Sequence, residues 1–141
     1  MVYFIANPEN LKIKIGVTDN LIRRFLEIEW NYPNKLQLLG VIGMSASLSQ
    51  SRNAEKALHK RFSEYKVSNE WFTYNETIEN YIMEYANNDI GIGKILDITE
   101  ITPKGKAKCL GVFHDGFYYS DRNAQKTLSY KPLARQSAEE E

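Results

Sequence analysis

The sequence predicts an α+β fold: a small three-stranded antiparallel sheet flanked by helices in the order β-β-α-β-α-α, followed by a C-terminal β-hairpin appendix. Three observations predict it. Short N-terminal stretches alternate apolar and polar residues with the two-residue period of strands. Later stretches carry apolar residues at three- and four-residue spacings, the period of amphipathic helices. Beyond Gly91 the pattern returns to extended segments around an Asp-Gly turn signal.

Each element has its own signal. In "VYFIA", Val2, Phe4 and Ala6 fall on one face and Tyr3 and Ile5 on the other. In "LKIKIGV", Leu11, Ile13, Ile15 and Val17 alternate with Lys12, Lys14 and Gly16, as expected for a strand buried on one face. A helix over 20–30 follows, opened by Thr18, Asp19 or Asn20 as N-cap and carrying Leu21, Phe25 and Ile28 at spacings of four and three. "LQLLGVIG" supplies the third strand. "SRNAEKALHKRFSEY" supplies the second helix, its buried stripe formed by Ala54, Leu58 and Phe62 with Tyr65. In the third helix Ile78, Tyr81, Ile82 and Tyr85 recur at i, i+3, i+4 and i+7, and Thr73 with Glu76 has capping-box spacing. It is expected to end near "ANNDIGIG".

The domain reading is a core over 1–90, a small β appendix over 91–130 and a solvated acidic tail over 131–141. In the appendix "KILDITEIT" precedes "KCLGVF" and "FYYS", the last two joined by "HDG".

Composition narrows the function. The 141 residues are 43% hydrophobic, enough for a real core, and hold no apolar run long enough to span a bilayer. The N-terminus lacks a basic start and a small-residue cleavage site, so the cytoplasm is the expected location and no membrane partner is expected. One cysteine, Cys109, excludes an intramolecular disulfide, and His59 and His114 alone make no Cys/His zinc site. Any metal must be held mainly by oxygen. The 18 basic and 18 acidic residues cancel, yet residues 1–70 carry 10 Lys/Arg against 7 Asp/Glu, and residues 71–141 carry 8 against 11. Only the first half has a positive bias.

Several residues admit a chemical role beside an ordinary one. Tyr3 reads alone as a core-edge tyrosine with a wet hydroxyl. Gly16 marks a bulge, or lets a phosphate approach the backbone ahead of a helix N-terminus. Arg23 lies one turn before Glu27, the spacing of a surface pair. Arg24 has Ile28 at that place and Leu21 three before it, so its guanidinium must find an anion elsewhere, and its donor fork suits phosphate. Glu55 and His59 are either a rim pair on a surface helix or a hard oxygen ligand for Mg²⁺ beside a histidine. Glu70 precedes Trp71 and Phe72, an aromatic pair expected to plug the core. Tyr118, Tyr119, His114 and Asp115 could touch a base or a partner, and hairpin packing explains them equally well.

Taken in order, these elements resemble the GIY-YIG nuclease superfamily, and within it the short branch of phage-type and meiotically up-regulated-gene-type proteins. The match runs over about residues 2–85. It consists of Val2-Tyr3-Phe4-Ile5, then Lys14-Ile15-Gly16-Val17-Thr18, then Arg24, then "AEKALHKRF" with Glu55 and His59, then Glu70-Trp71-Phe72. Met1 and Val2 stand where the first motif has its glycine, Lys14 where the second has tyrosine, and Ile28 where some relatives carry histidine. Asn69 and Asn75 both compete for the place of a site asparagine.

The resemblance implies a metal-dependent endonuclease that hydrolyses DNA phosphodiesters. Tyr3 would be the catalytic tyrosine, Arg24 the phosphate-binding arginine and Glu55 the ligand of Mg²⁺ or Mn²⁺. Phosphodiester hydrolysis needs a deprotonated water and stabilised charge on phosphorus and the leaving oxygen. Tyr3 is thus expected as general base with its pKa lowered by Lys14, and His59 as orienter of the water or alternative base. Gly16, Arg23 and Lys12 complete the substrate-binding set. The alternative is a catalytically inactive phage-encoded factor of the same fold that binds nucleic acid, or a protein through residues 91–130.

Overall fold

The computed structural model describes the backbone of residues 1–86, 95–101 and 107–120. The third helix ends at Tyr85 with Ala86 as its C-cap, at the start of "ANNDIGIG" as expected, and the tail over 131–141 lies outside the described residues. The elements are β1 (Val2–Asn7), β2 (Lys12–Val17), α1 (Leu21–Trp30), β3 (Gln37–Ile42), α2 (Leu48–Arg61), a 3-10 turn (Ser63–Tyr65), β4 (Lys66–Ser68), β5 (Trp71–Thr73), α3 (Glu76–Tyr85), β6 (Ile95–Ile101), β7 (Ala107–His114) and β8 (Phe117–Ser120).

One antiparallel sheet runs through all the strands in the order β4-β5-β2-β1-β3-β8-β7-β6. The expected three-stranded sheet is therefore only its centre, β2-β1-β3. Two additions extend it. β5 pairs with the first half of β2 (Lys12↔Thr73, Ile13↔Phe72, Lys14↔Trp71), so the expected aromatic plug sits on a strand, its Phe72 fully buried in the core. On the other side β8 meets β3 at Gln37↔Phe117 and carries β7 and β6 outward. The β7–β8 turn is the Asp115-Gly116 turn expected from sequence, both residues having positive φ (54° and 84°).

The alternation in β1 sorts the core into two. Val2, Phe4 and Ala6 join Ile13, Ile15, Leu58, Phe62, Phe72, Ile78 and Ile82 on the face covered by α2 and α3. Tyr3 and Ile5 join Leu21, Phe25, Ile28, Leu38, Val41 and Phe113 under α1. With helices on both faces, β1 is buried throughout. Phe113 stands edge-on to Phe25 at 5.0 Å and so ties the C-terminal strands into the α1 core.

Two helix starts differ from expectation. Asn20 caps α1, its side chain accepting from Arg23 N at 3.2 Å, as one of the three candidates required. α2 begins earlier than expected, because Ser47 and Gln50 form a reciprocal capping box. For α3 the cap is Asn75, which accepts from Ile78 N; the Thr73/Glu76 box does not form because Thr73 is still in β5.

Candidate active site

Strand β5 stops pairing with β2 after Lys14, and the last bridge beyond it is Ile15 N donating to the Glu70 carbonyl at 3.0 Å. From Gly16 onward the β2 edge is open. Gly16 lies opposite Tyr3 across the β1–β2 ladder, and Lys14 opposite Ile5, so the lysine shares the α1 face with Tyr3. The site assembles around this open edge.

Gly16 is required there by space. A Cβ on it would overlap the Tyr3 hydroxyl and come within 2.8 Å of Glu70 Oε1. The absent side chain thus brings a phenol and a carboxylate to the same small volume. Glu70 Oε1 is also 3.3 Å from Lys14 Nζ. It is buried and receives no aligned hydrogen bond among the described residues, so the ion pair alone compensates it. Lys14 in turn lies over the Trp71 ring, 5.4 Å from its centroid.

Tyr3 is 1% exposed, so its hydroxyl is enclosed rather than wet. Burial is the main cause that pushes its pKa above the usual phenol value. The Arg24 guanidinium within hydrogen-bonding reach pulls it down, and the Glu70 and Glu55 carboxylates push it up again. The expectation that Lys14 lowers this pKa is therefore wrong: desolvation outweighs the cations, and the lysine's charge is spent on Glu70. Arg24, Glu70 and Glu55 thus converge on one phenol, and the cluster lies there.

Arg24 finds its anion on its own helix as well. Nη1 is 3.5 Å from Glu27 Oε1 at i+3, and both side chains are largely exposed. The pair expected between Arg23 and Glu27 does not form, because Glu27 turns toward Arg24 instead.

On the opposite side of β2, His59 Nε2 lies 2.9 Å from the Ile15 carbonyl and 3.8 Å from Glu55 Oε2. The tautomer that donates from Nε2 to this carbonyl leaves Nδ1 as a proton acceptor. Phe72 supports the imidazole edge-on at 5.0 Å. Burial is the leading cause that raises the Glu55 pKa, Glu70 adds to it, and His59, Lys14 and Arg52 oppose it.

These side chains line two adjoining clefts. Glu55, His59 and Glu70 line an open cleft of about 730 Å³ with Thr18, Asp19, Arg52, Lys56 and Lys66. Lys14 and Arg24 line another of about 530 Å³ with Glu27, Ile28, Asn31 and Tyr32. The Lys14–Glu70 ion pair joins the two, with Gly16 and the Tyr3 hydroxyl beneath it. The structure thus brings together Tyr3, Lys14, Gly16, Arg24, Glu55 and His59. It leaves Lys12 four strand residues from Gly16, about 13 Å along β2. Arg23 is exposed on the outer side of α1.

Glu70 belongs to the cluster although sequence spacing gave it no role. The signal was its place beside Trp71-Phe72, but only the chain reversal from β4 into β5, with Asn69 at positive φ, turns it toward Gly16. Of the two candidate asparagines, Asn69 therefore makes this turn and Asn75 caps α3.

Among the described residues no group of three or more His, Cys, Asp or Glu could enclose a metal. The donor set fits a hard cation that keeps most of its waters. Glu55 and Glu70 both line the larger cleft, and the Glu70 charge helps raise the Glu55 pKa. No helix among the described residues is long and apolar enough to cross a membrane.

Residues 1–86 match the family model described as the T5orf172 domain. No curated protein and no solved structure matches the chain.

Proposed function

The chain belongs to the T5orf172 domain family, a phage-type domain loosely associated with nuclease function, and from that premise we propose that it is a metal-dependent endonuclease of GIY-YIG type acting on DNA. The observation that carries the reading is the gathering of the Arg24 guanidinium and the Glu70 and Glu55 carboxylates about the Tyr3 phenol, from segments far apart in the chain. The positive bias of residues 1–70 supports a polyanionic substrate.

In this reading Arg24 keeps Nη1 on Glu27 and turns its remaining N–H donors to the scissile phosphate. The Tyr3 hydroxyl holds the guanidinium from behind. Because burial keeps Tyr3 protonated at neutral pH, the proton of the attacking water goes to His59 Nδ1 instead, with Nε2 anchored on the Ile15 carbonyl. The hydroxide so formed adds to phosphorus as the bond to the leaving oxygen breaks. Lys14, paired with Glu70, holds that carboxylate at the rim between the clefts. Glu55, with Glu70 nearby, would hold Mg²⁺ or Mn²⁺, which supplies charge neutralisation for the leaving oxygen when bound.

The test is incubation of the full chain with supercoiled plasmid, linear duplex, single-stranded DNA and RNA, with Mg²⁺ or with chelator. Mg²⁺-dependent cleavage by the wild type, reduced at least about 100-fold in Arg24→Ala and Glu55→Ala, supports the reading. Undiminished cleavage in both variants contradicts it. The burial of Tyr3 and the engagement of Lys14 by Glu70 favour one second reading, a factor that binds nucleic acid without cutting it. Binding by a wild type inert in every arm of the panel would select that reading.

A further inference from the structure

Trp30, the last residue of α1, is 88% exposed, the most exposed of the large hydrophobic side chains described. An indole offers a large, rigid apolar face whose burial is favourable, so a ring presented this fully is suited to stacking by a flat ligand. Its neighbours indicate which ligand. Trp30 shares a shallow cleft of about 400 Å³ with Arg23, Leu26 and Glu27. Arg23 is exposed, and Glu27, its expected partner, is engaged by Arg24. The cleft therefore sets an exposed guanidinium beside an exposed indole. Of the acids nearby, Glu27 is held by Arg24, and Glu29 accepts from Leu36 N at 3.0 Å in a half-buried position.

The strip is continuous with the Arg24 cleft. Tyr32 lines that cleft together with Lys14, and it also lines the pocket on the other flank of Trp30, with Leu26, Glu29 and Tyr118. Beyond Tyr32, Trp71 follows edge-on at 5.7 Å, beneath Lys14. Three aromatic rings, Trp71, Tyr32 and Trp30, thus run along this side, with Lys14, Arg24 and Arg23 lining the same clefts. Trp30 lies six residues after Arg24, about 9 Å along the helix axis, close enough for neighbouring nucleotides of one strand to reach both.

We infer that the outer ridge of α1 is a docking strip for an unpaired nucleic-acid strand, with a base stacked on Trp30 and its phosphate held by Arg23, next to the nucleotide whose phosphate Arg24 holds. Stacking on an aromatic face requires that face to be free and the base to be out of a duplex, which selects single-stranded, frayed or branched substrates over continuous double helix. The inference deepens the proposed function and rests on its reading of Arg24 as the phosphate grip.

The test is binding of a fluorescent single-stranded oligonucleotide and of the same sequence as blunt duplex, measured by anisotropy in chelator, with plasmid cleavage in Mg²⁺ run in parallel. Trp30→Ala is expected to weaken single-strand binding about tenfold or more, Trp30→Phe to retain most of it, and duplex binding to change less than about threefold. Arg23→Ala is expected to lower the salt dependence of single-strand binding by about one counterion. Single-strand binding by Trp30→Ala within about twofold of the wild type overturns the inference, as does a wild type that binds neither oligonucleotide. A wild type that binds as described but cleaves nothing leaves the strip in place and refutes only the nuclease reading. The large exposure of Trp30 makes loss of fold in its variants an unsuitable explanation, and unchanged melting temperatures verify this.

Discussion

Gly16→Ala is the most local perturbation of the site. Gly16 lies in extended β2 backbone that alanine adopts without strain, so the whole cost is one of space. The added methyl would overlap the Tyr3 hydroxyl and press on Glu70 Oε1 at 2.8 Å. Tyr3 cannot swing away, because it is 1% exposed and packed among Ile5, Leu21, Phe25 and Val41. Overpacking of this kind costs about 1–3 kcal/mol. For a chain of 141 residues that is a fall in melting temperature of about 3–10 °C. The assay is thermal unfolding of the wild type, Gly16→Ala, Tyr3→Phe and the double variant. Tyr3→Phe removes the nearest clashing atom but leaves the ring, so the double variant recovers part of the loss, with a favourable coupling of about 0.5–2 kcal/mol. A Gly16→Ala protein that melts within about 1 °C of the wild type, or strictly additive losses, would refute the apposition of phenol, glycine and carboxylate.

The remaining predictions concern charge and packing. Glu55→Gln removes a carboxylate whose charged form burial and Glu70 disfavour, so in chelator it is expected to melt higher than the wild type. The wild type but not Glu55→Gln is expected to gain about 1.4 kcal/mol when Mg²⁺ is raised to about tenfold its dissociation constant, and scanning fluorimetry reads both effects. Phe113→Ala should cost about 3–5 kcal/mol in urea unfolding, because the ring is fully buried against Phe25; a loss under about 1 kcal/mol would mean that β7 and β8 are not seated on the α1 core. Tyr3 is pushed above its usual value by burial, and Tyr74 to about 12 by burial and its hydrogen bond to Glu79. Folding therefore retains protons that the unfolded chain releases. The stability from these two phenols is complete below about pH 10 and falls as pH rises through their folded values, and Tyr74→Phe should flatten that fall in pH-dependent denaturation.

Much of this architecture is legible in the sequence where periodicity is long enough to speak. The alternation of Val2, Phe4 and Ala6 against Tyr3 and Ile5 corresponds to the two separate cores, and Leu21, Phe25 and Ile28 form the buried stripe of α1. The three-residue strands β4 and β5 are too short to show a period, so Trp71-Phe72 reads as a plug although Phe72 pairs with Ile13. The extent of the sheet was hidden for a related reason. β8 joins β3 through a single register pair, which depends on Gly116 fitting against the Leu38 backbone and leaves no trace in either strand's own pattern.

Within the candidate site, helix spacing singled out Arg24 and the family resemblance singled out Glu55, but neither named the side chains that tune them. Helix geometry assigned Glu27 to Arg23, whereas rotamer choice gave it to Arg24. Strand register puts Lys14 on the Tyr3 face, yet the sequence gave no warning that Glu70 would take up the lysine's charge. The sign of the Tyr3 shift follows from burial, which depends on α1 and β3 closing over the ring, and no local window contains that information.

The central claim is that Arg24 and Glu55, from adjoining clefts, act on one phosphorus atom. Single-turnover cleavage of a labelled oligonucleotide by Arg24→Ala, Glu55→Gln and the double variant tests it most directly. Residues acting as a unit give a double variant about as slow as the slower single one. Rate losses that multiply, or singles that cleave as fast as the wild type, would show that the two side chains serve different tasks.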